Sequence, residues 1–335
     1  MVKKLRLGVI GCGDIAKYMM MLSKLDRSLD IVGFADSNKD RAEKFAISYG
    51  NDARDYYVDY RDMISQKAVD AVYIAVPHFL HYPIVKDLIQ KGIHILCEKP
   101  IVTELDHAME LAELAVNHQV KVGVNYQYRY DKACYRLVKA AQNEHLGKLY
   151  YGICNVPWSR EASYFEKSKW HADQKQSGGG TLLTQGSHAL DILLWAFGSK
   201  ATRAMGIVRN AKFETVEVED TALGIVEMSC GGIIQITSSM AVAKEQPVSI
   251  TLHGSKGSAH YMGPTLSRTK FTSVRVPRYK PSGSGIHPLG RSMNAFVNWV
   301  LHDTPYYCPI SESIPVLASV LAVYRSSVSG KAEEI

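Results

Sequence analysis

No apolar run in the 335-residue sequence reaches the ~18 uninterrupted residues that a membrane-crossing helix needs, so no segment reads as a membrane span. Cysteine is sparse. Cys12, Cys97, Cys134, Cys154, Cys230 and Cys308 stand far apart without a Cys-x-x-Cys pair, which argues against a disulfide scaffold and a zinc ribbon and fits reduced thiols in a cytoplasmic protein. Charge of one sign is only mildly in excess: 39 Lys and Arg against 33 Asp and Glu leave +6, spread along the chain, with no nucleic-acid footprint. The opening Met1-Val2-Lys3-Lys4 has a basic head, but the short apolar run behind it lacks a small-residue cleavage site, so it reads as a strand and not a signal peptide. No Gly-Lys-Ser/Thr follows the glycine run 178–180, so it is not a P-loop, and His78, His81 and His94 show no zinc-ligand spacing.

What is present belongs to an ordinary globular chain. Hydrophobic residues make up 46% and charged residues 21%, and 335 residues point to two domains at about 100–200 residues each. The first third alternates short β-branched runs (5–10, 31–36, 71–76, 94–97, 121–125) with helical patterns at 38–49 and 103–118, the second opened by Thr103 with Asp106 three residues on. This rhythm predicts parallel βαβ units. After residue 126 it gives way to a helix at 132–144, the segment 148–157, a glycine run with an apolar helix to Phe197, and successive strands at 218–228, 232–241, 248–253 and 258–262. A Pro/Gly/Ser-rich loop at 277–288 precedes helices near 289–301 and 311–327. The expected fold is α/β: a dinucleotide-binding domain at 1–125, then an α+β domain at 126–335 on a large, mostly antiparallel open sheet.

The chemistry begins at Gly11-Cys12-Gly13-Asp14-Ile15-Ala16, a G-x-G-x-x-A directly after a strand and before a helix. Gly11 permits the tight turn, Gly13 lets a pyrophosphate approach the backbone, the helix start at Asp14 and Ile15 offers its amides, and Ala16 allows close packing. A second strand ends at Asp36, 23 residues beyond Gly13 (36 − 13), where a carboxylate can accept from a ribose 2′-OH. Asp36 favours NAD; Ser37 and Arg41 close by keep NADP open. Two more strand ends carry Pro77-His78-Phe79-Leu80-His81 and Glu98-Lys99-Pro100, where ligands bind in open α/β sheets. Thr184, His188 and Asp191, spaced i, i+4 and i+7, share a helix face. His188 can exchange a proton near neutral pH, and Asp191 either orients its ring or bonds along the helix.

Taken in order, Gly-x-Gly-x-x-Ala, residues 77–81, Glu98-Lys99-Pro100 and the glycine run with His188-x-x-Asp191 resemble the Gfo/Idh/MocA oxidoreductases. The resemblance implies a Rossmann domain and catalytic roles for Lys99 and His188. It implies Gly11, Gly13, Asp14, Ile15, Asp36, Ser37, Arg41, Pro77, His78, His81, Glu98 and Lys99 at the cofactor, with Glu98 and His81 on the nicotinamide side. Arg129, Trp158, Arg160, Trp170, Thr184 and Gln185 are expected on the substrate side; the segments around Trp158 and Trp170 look like the sugar-nucleotide branch. Many sugar-oxidising members carry Asp where this chain has Thr184, so proton transfer is not expected to rest there. The implied activity is hydride transfer between NAD(P) and a secondary hydroxyl or ketone of a sugar, cyclitol or sugar derivative, in a homodimer or homotetramer with neither nucleic-acid nor membrane partners and no metal. Redox-cycling lyases, glycosidases or epimerases, and non-catalytic dinucleotide-binding regulators, are the alternatives.

Overall fold

The computed structural model describes residues 4–24 and 26–335; residues 1–3 of the basic head lie outside them. The chain divides into two compact units, one formed by the chain up to Val102 with Asp106–Gln127 and Ser282–Ser311, the other by Thr103–Leu105, Tyr128–Pro281 and Glu312–Ile335.

The first unit holds β1 (Leu5–Ile10), β2 (Leu29–Ala35), β3 (Tyr56–Tyr57), β4 (Ala71–Ile74), β5 (His94–Cys97) and β6 (Val122–Val124). They form one parallel sheet in the order β3-β2-β1-β4-β5-β6. Between them run α1 (Asp14–Ser23), α2 (Lys39–Tyr49), α3 (Tyr60–Gln66), α4 (His81–Gln90) and α5 (Leu105–Asn117). Leu5, Leu7, Val9, Phe34, Val72, Ile74, Ile95 and Leu96 are fully buried, as strands covered on both faces require. The order reverses between β1 and β4, and the crevice at that switch point lies at the strands' carboxyl ends.

The segment Ser282–Ser311, assigned by sequence to 126–335, packs with the first unit. Its helix, Pro288–His302, buries Leu289, Met293, Phe296 and Val297 and packs on α1, β1 and β5. Nothing in its local sequence tells which core that apolar stripe will cover.

The second unit begins with α6 (Lys132–Gln142), β7 (Leu149–Pro157), α7 (Ser163–Lys167) and α8 (Gln174–Ser177). A π-helical turn, Leu182–Gly186, then runs into α9 (Ser187–Phe197). β8 (Ala201–Arg209), β9 (Thr221–Met228), β10 (Ile233–Ser239), β11 (Val248–Gly254), β12 (Ser258–Gly263) and β13 (Arg268–Thr272) follow. With the Pro288–His302 helix numbered α10, the chain closes with α11 (Ile310–Ser329) and β14 (Glu333–Glu334). The sheet order is β13-β12-β11-β7-β10-β9-β8-β14, antiparallel throughout except for β10 on β7. β8 and β13 are absent from the sequence reading, because β13 is a polar edge strand and β8 alternates with charged residues. Helices α6 and α9 pack on one face, and Val323 of α11 lies over Gly206 and Gly224. On the other face Met205 pairs with Ile225 and Ile207 with Leu223, all four about half exposed.

Candidate active site

The carboxyl ends of the parallel strands carry the dinucleotide fingerprint. Gly11 has φ +92°, and a Cβ there would lie 2.3 Å from the Ala75 carbonyl oxygen, so β4 itself demands this glycine. Gly13 caps α1 with no side-chain hydrogen bond, and a Cβ added to it would point into open space. The α1 amides therefore face open space in which an anionic group can be held. Asp36 Oδ2 accepts from the Cys12 amide at 2.8 Å and Oδ1 from the Asn38 amide at 2.8 Å, which ties the glycine turn to the end of β2. These residues fit an adenosine dinucleotide: an uncapped helix start for the diphosphate and a carboxylate for the ribose diol. Ser37 and Arg41 are exposed beside Asp36. Burial of Cys12 pushes its thiol far above the usual range, so it packs as an unreactive thiol.

One strand on, Glu98 is buried, and its Oε1 accepts from Tyr73 Oη at 2.6 Å and from Asn125 Nδ2 at 2.7 Å. Asn125 Oδ1 accepts from Ser292 Oγ, which lies 2.8 Å from Tyr306 Oη. Burial raises the Glu98 carboxyl, while the Tyr73 and Asn125 donors hold it down. Lys99 follows, half-buried, before a cis bond to Pro100. His81 is fully buried, with Nδ1 2.8 Å from the Pro100 carbonyl oxygen and Nε2 2.9 Å from that of Val76. Both nitrogens face backbone, so His81 braces the turn around Lys99 against the end of β4, and its ring has no polar atom left for the nicotinamide contact expected of it. His78 is buried beside it, ring centroids 5.7 Å apart, and Pro77 precedes that short turn.

In the second unit the glycine run is a docking surface for a buried glutamate. Glu219 Oε2 accepts from the Gly180 amide at 2.6 Å, and Oε1 accepts from the Leu182 amide at 2.8 Å and from Tyr324 Oη at 2.9 Å. A Cβ on Gly180 would lie 1.8 Å from the Glu219 carbonyl oxygen, and one on Gly179 2.3 Å from Tyr324 Oη. The glycines thus serve close packing. Sequence reading missed Glu219, which lies beyond the helix it holds. Thr184 Oγ1 donates to the Gly180 carbonyl at 2.6 Å, so its hydroxyl proton is spent within the turn.

His188 is buried on α9 with its ring stacked on Tyr128, centroids 5.1 Å apart and planes 25° from parallel. Asp191, which the sequence left either to orient the ring or to bond along the helix, is bound by Arg129. It is fully buried and takes a forked pair from Arg129, Nε at 3.0 Å and Nη2 at 2.7 Å. Arg129, expected on the substrate side, is 2% exposed; it also reaches Glu312 at 3.4 Å and lies 4.9 Å from the Trp195 ring centre. A guanidinium so engaged is held in place by its protein partners. Its neighbour Tyr128, which the sequence reading passed over, sits against His188. Gln185, three residues before His188, is 4% exposed.

Trp158, Arg160 and Trp170 meet in one stack on the segment after β7. The Arg160 guanidinium lies 5.7 Å from Trp158 and 5.3 Å from Tyr164; Tyr164 stacks on His171 at 4.6 Å, and His171 on Trp170 at 3.7 Å. Such a row presents aromatic faces beside a cation.

Residues 5–126 match the model of the oxidoreductase family with NAD-binding Rossmann fold, and residues 135–260 match the GFO/IDH/MocA C-terminal domain. An oxidoreductase of Synechocystis is 28% identical over 232 residues, 66% of this chain and 59% of that protein, so the match spans less than two thirds of that relative. D-glucoside 3-dehydrogenase of Escherichia coli is 23% identical over 355 residues, 99% of this chain and 97% of that one. The crystal structure of the WlbA dehydrogenase from Bordetella pertussis in complex with NADH and UDP-GlcNAcA superposes with a TM-score of 0.87 at 24% identity, covering 99% of both chains. With its fingerprint, its Glu98-Lys99-Pro100 turn and both domain models in place, the chain belongs to the Gfo/Idh/MocA oxidoreductases and carries their NAD-binding Rossmann domain.

Proposed function

We propose that this protein is an NAD-dependent dehydrogenase or reductase that interconverts a secondary hydroxyl and a ketone on a sugar, a cyclitol or a sugar derivative. The observation that carries the proposal is the first unit's strand-end array: an uncapped helix start at Gly13, the Asp36 carboxylate and the Glu98-Lys99 turn, all on the carboxyl side of one parallel sheet. Gly11, Gly13, Asp14 and Ile15 would hold the diphosphate, Asp36 with Ser37 and Arg41 the adenosine ribose, and Pro77, His78 and Glu98 the nicotinamide half. Hydride exchange is the chemistry that the cofactor supplies when bound. The Lys99 ammonium would polarise the reacting oxygen, and His188 would take or give its proton. Asp36 favours NAD because a 2′-phosphate would be repelled there. Relatives named as dehydrogenases, such as the D-glucoside 3-dehydrogenase, favour net oxidoreduction over redox cycling or a regulatory role. The aromatic row with Arg160 suits an anionic sugar derivative, the class of ligand named for the WlbA structure.

We also propose a cytoplasmic homodimer or homotetramer; among the described residues no helix is long and apolar enough to cross a membrane. The bare sheet face supports self-association. Met205, Ile207, Leu223, Ile225 and Ile233 form an apolar field with Tyr151, a patch that a second copy would cover.

The deciding experiment measures NADH or NADPH formation with inositols, aldoses, sugar acids and sugar nucleotides. Turnover that disappears in Lys99→Ala, while the variant keeps its NAD+ affinity by calorimetry, is the expected result. His188→Asn should lower kcat by about 10²-fold or more, the lower end of general acid–base contributions. No turnover by the wild-type protein across the panel, or a Lys99→Ala variant with normal kcat, overturns the proposal.

A further inference from the structure

A buried hydrogen-bond chain in the first unit runs from α10 to the Glu98-Lys99 turn. Asn125 and Ser292 are fully buried, and Tyr306 and Glu98 nearly so. The Asn125 carboxamide stands between two oxygens: its Nδ2 donates to Glu98 Oε1 at 2.7 Å, and its Oδ1 accepts from Ser292 Oγ at 2.7 Å. An ionised carboxylate can only accept, so it needs the Asn125 NH2 facing it and Oδ1 facing away. Ser292 has one hydroxyl proton, and Asn125 takes it. The Tyr306 hydroxyl, 2.8 Å from Ser292 Oγ, is therefore the donor of that pair, and its contact with the Val124 carbonyl oxygen is longer, 3.4 Å. Gly123 seats the Tyr306 ring, for a Cβ there would lie 2.9 Å from it. Every donor in the chain thus points toward Glu98, and each aligned bond strengthens the next. Glu98 in turn meets Lys99, whose ammonium and backbone amide both favour its charged form. The ionisable groups around Glu98 are Tyr73 on β4, Cys97 and Lys99 beside it, and Tyr306 beyond Ser292. Burial lifts the Tyr73 phenol and the Cys97 thiol well above their ordinary ranges, so Lys99 carries the charge that faces Glu98. Seating α10 would by itself need no carboxylate, since an apolar contact avoids the cost of burying one.

We infer that Ser292 and Asn125 are positioning residues for Lys99: the α10 hydroxyl orients the Asn125 carboxamide, the carboxamide holds Glu98 as an anion, and the anion holds the Lys99 amide and ammonium. The consequence is linked to pH. When Glu98 takes up a proton from solvent it loses its charge, and its hold on Lys99 weakens. The inference rests on the dehydrogenase reading, in which Lys99 polarises the reacting oxygen, and adds to it two residues that touch neither cofactor nor substrate.

The test titrates the full chain, with neither cofactor nor substrate added, by infrared spectroscopy. It follows the C=O stretch of a protonated buried carboxylic acid that Glu98→Gln removes. Ser292→Ala strips Asn125 Oδ1 of its donor and frees the carboxamide to turn, so it should raise the midpoint of that band by about one pH unit. Asn125→Leu, similar in size, removes a donor to Glu98 itself and should raise the midpoint further. Ser292→Thr keeps the hydroxyl and should restore the wild-type midpoint. In steady-state rates with the best substrate of the panel, Ser292→Ala should lose about 10-fold more kcat at pH 6 than at pH 8.5, beyond the fall that the wild-type protein shows over the same range. A packing defect alone would lower both rates equally. Equal band midpoints in Ser292→Ala and the wild-type protein, or a loss of kcat that is the same at both pH values, overturn the inference while leaving the dehydrogenase reading intact. Absence of wild-type turnover across the panel overturns that reading, and the band midpoints then decide by themselves whether the chain governs Glu98.

Discussion

The two units each bury a carboxylate beside a residue proposed for catalysis, and they hold it in different ways. Glu98, next to Lys99, is held by the neutral donors Tyr73 and Asn125, both converging on Oε1. Asp191, one turn after His188, is held by a guanidinium. Burial raises both carboxyls; what draws Asp191 back down first is the Arg129 charge, whereas at Glu98 the Tyr73 and Asn125 donors come first and the Lys99 charge after them. A carboxylate held by neutral donors tolerates loss of its own charge. One held by a buried cation does not tolerate loss of the cation.

The largest effect expected from this comparison follows from breaking the ion pair. Arg129→Met leaves Asp191 buried and unpaired, and should cost about 3–5 kcal/mol in denaturant unfolding. Replacing both partners, as Arg129→Met with Asp191→Leu, should recover most of that loss, because two apolar groups leave no stranded charge. A single variant as stable as the wild-type protein would mean that the pair is not buried in solution.

A second comparison sharpens the first. Glu98→Gln keeps the Tyr73 and Asn125 bonds, since the amide oxygen can take the place of Oε1, and gives up only the weaker pull of Lys99. Glu219→Gln cannot do so, because both Glu219 oxygens accept and the new NH2 must face the Gly180 or the Leu182 amide. Glu219→Gln should therefore cost about 1–3 kcal/mol, the penalty for a clashing buried donor, and Glu98→Gln less than about 1 kcal/mol. Because Glu219 seats the turn that leads to His188, its variant should also lower kcat. Equal unfolding midpoints for the two variants would remove the distinction.

These differences explain what could be read from the amino-acid sequence. The cofactor side is legible because strand periodicity, glycine spacing and the distance to Asp36 are local, and the parallel sheet in the order β3-β2-β1-β4-β5-β6 puts them together as expected. His188 and Lys99 stood out through motifs, again local. Arg129 was placed with the substrate by the resemblance alone; in the structure it pairs with Asp191, 62 residues away on a helix whose facing side no local pattern reveals. Glu219 and Tyr324 act on the glycine run from 37 and more residues away, so the sequence could exclude a P-loop there but not show that the run is a packing surface. Helix α10 was expected near 289–301, but not its place in the first unit: its apolar stripe is plain, the core that it completes is not.

A smaller effect should appear as pH falls. Burial lowers the pKa of His81, and burial with Lys121 lowers that of His94. Each is neutral in the native state near and above the ordinary value of about 6.5, where its stabilising contribution is fully present. As pH falls below about 6.5 the unfolded chain takes up the proton first, so stability declines until the folded pKa is passed, by up to about 1.4 kcal/mol per pH unit for each such group. The raised carboxyls of Glu98, Asp191 and Glu219 act with the opposite sign at lower pH, because the native state then binds the extra protons. Urea unfolding between pH 7.5 and pH 5.5 should therefore show a shallower slope in His81→Asn than in the wild-type protein. Parallel slopes would mean that His81 is protonated in the native state and donates to both carbonyls.

The smallest effect expected is at Thr184, where the resemblance to sugar-oxidising members of the family leads one to expect a carboxylate. The Thr184 hydroxyl and its own amide both donate to the Gly180 carbonyl, at 2.6 and 2.9 Å. Removing the hydroxyl leaves that carbonyl bonded to the amide, so Thr184→Val, similar in shape, should cost less than about 1 kcal/mol. For the same reason it should leave kcat within a few-fold, against about 10²-fold or more for His188→Asn. Thr184→Asp tests the reverse. A carboxylate there would face the Gly180 carbonyl oxygen in a nearly closed site, so it would resist ionisation and add no working base unless the turn rearranged. Steady-state rates from pH 6 to pH 9 separate these outcomes: a profile set by one imidazole in both Thr184 variants keeps the proton on His188, and a dead Thr184→Val protein with an intact fold would move it to the threonine turn.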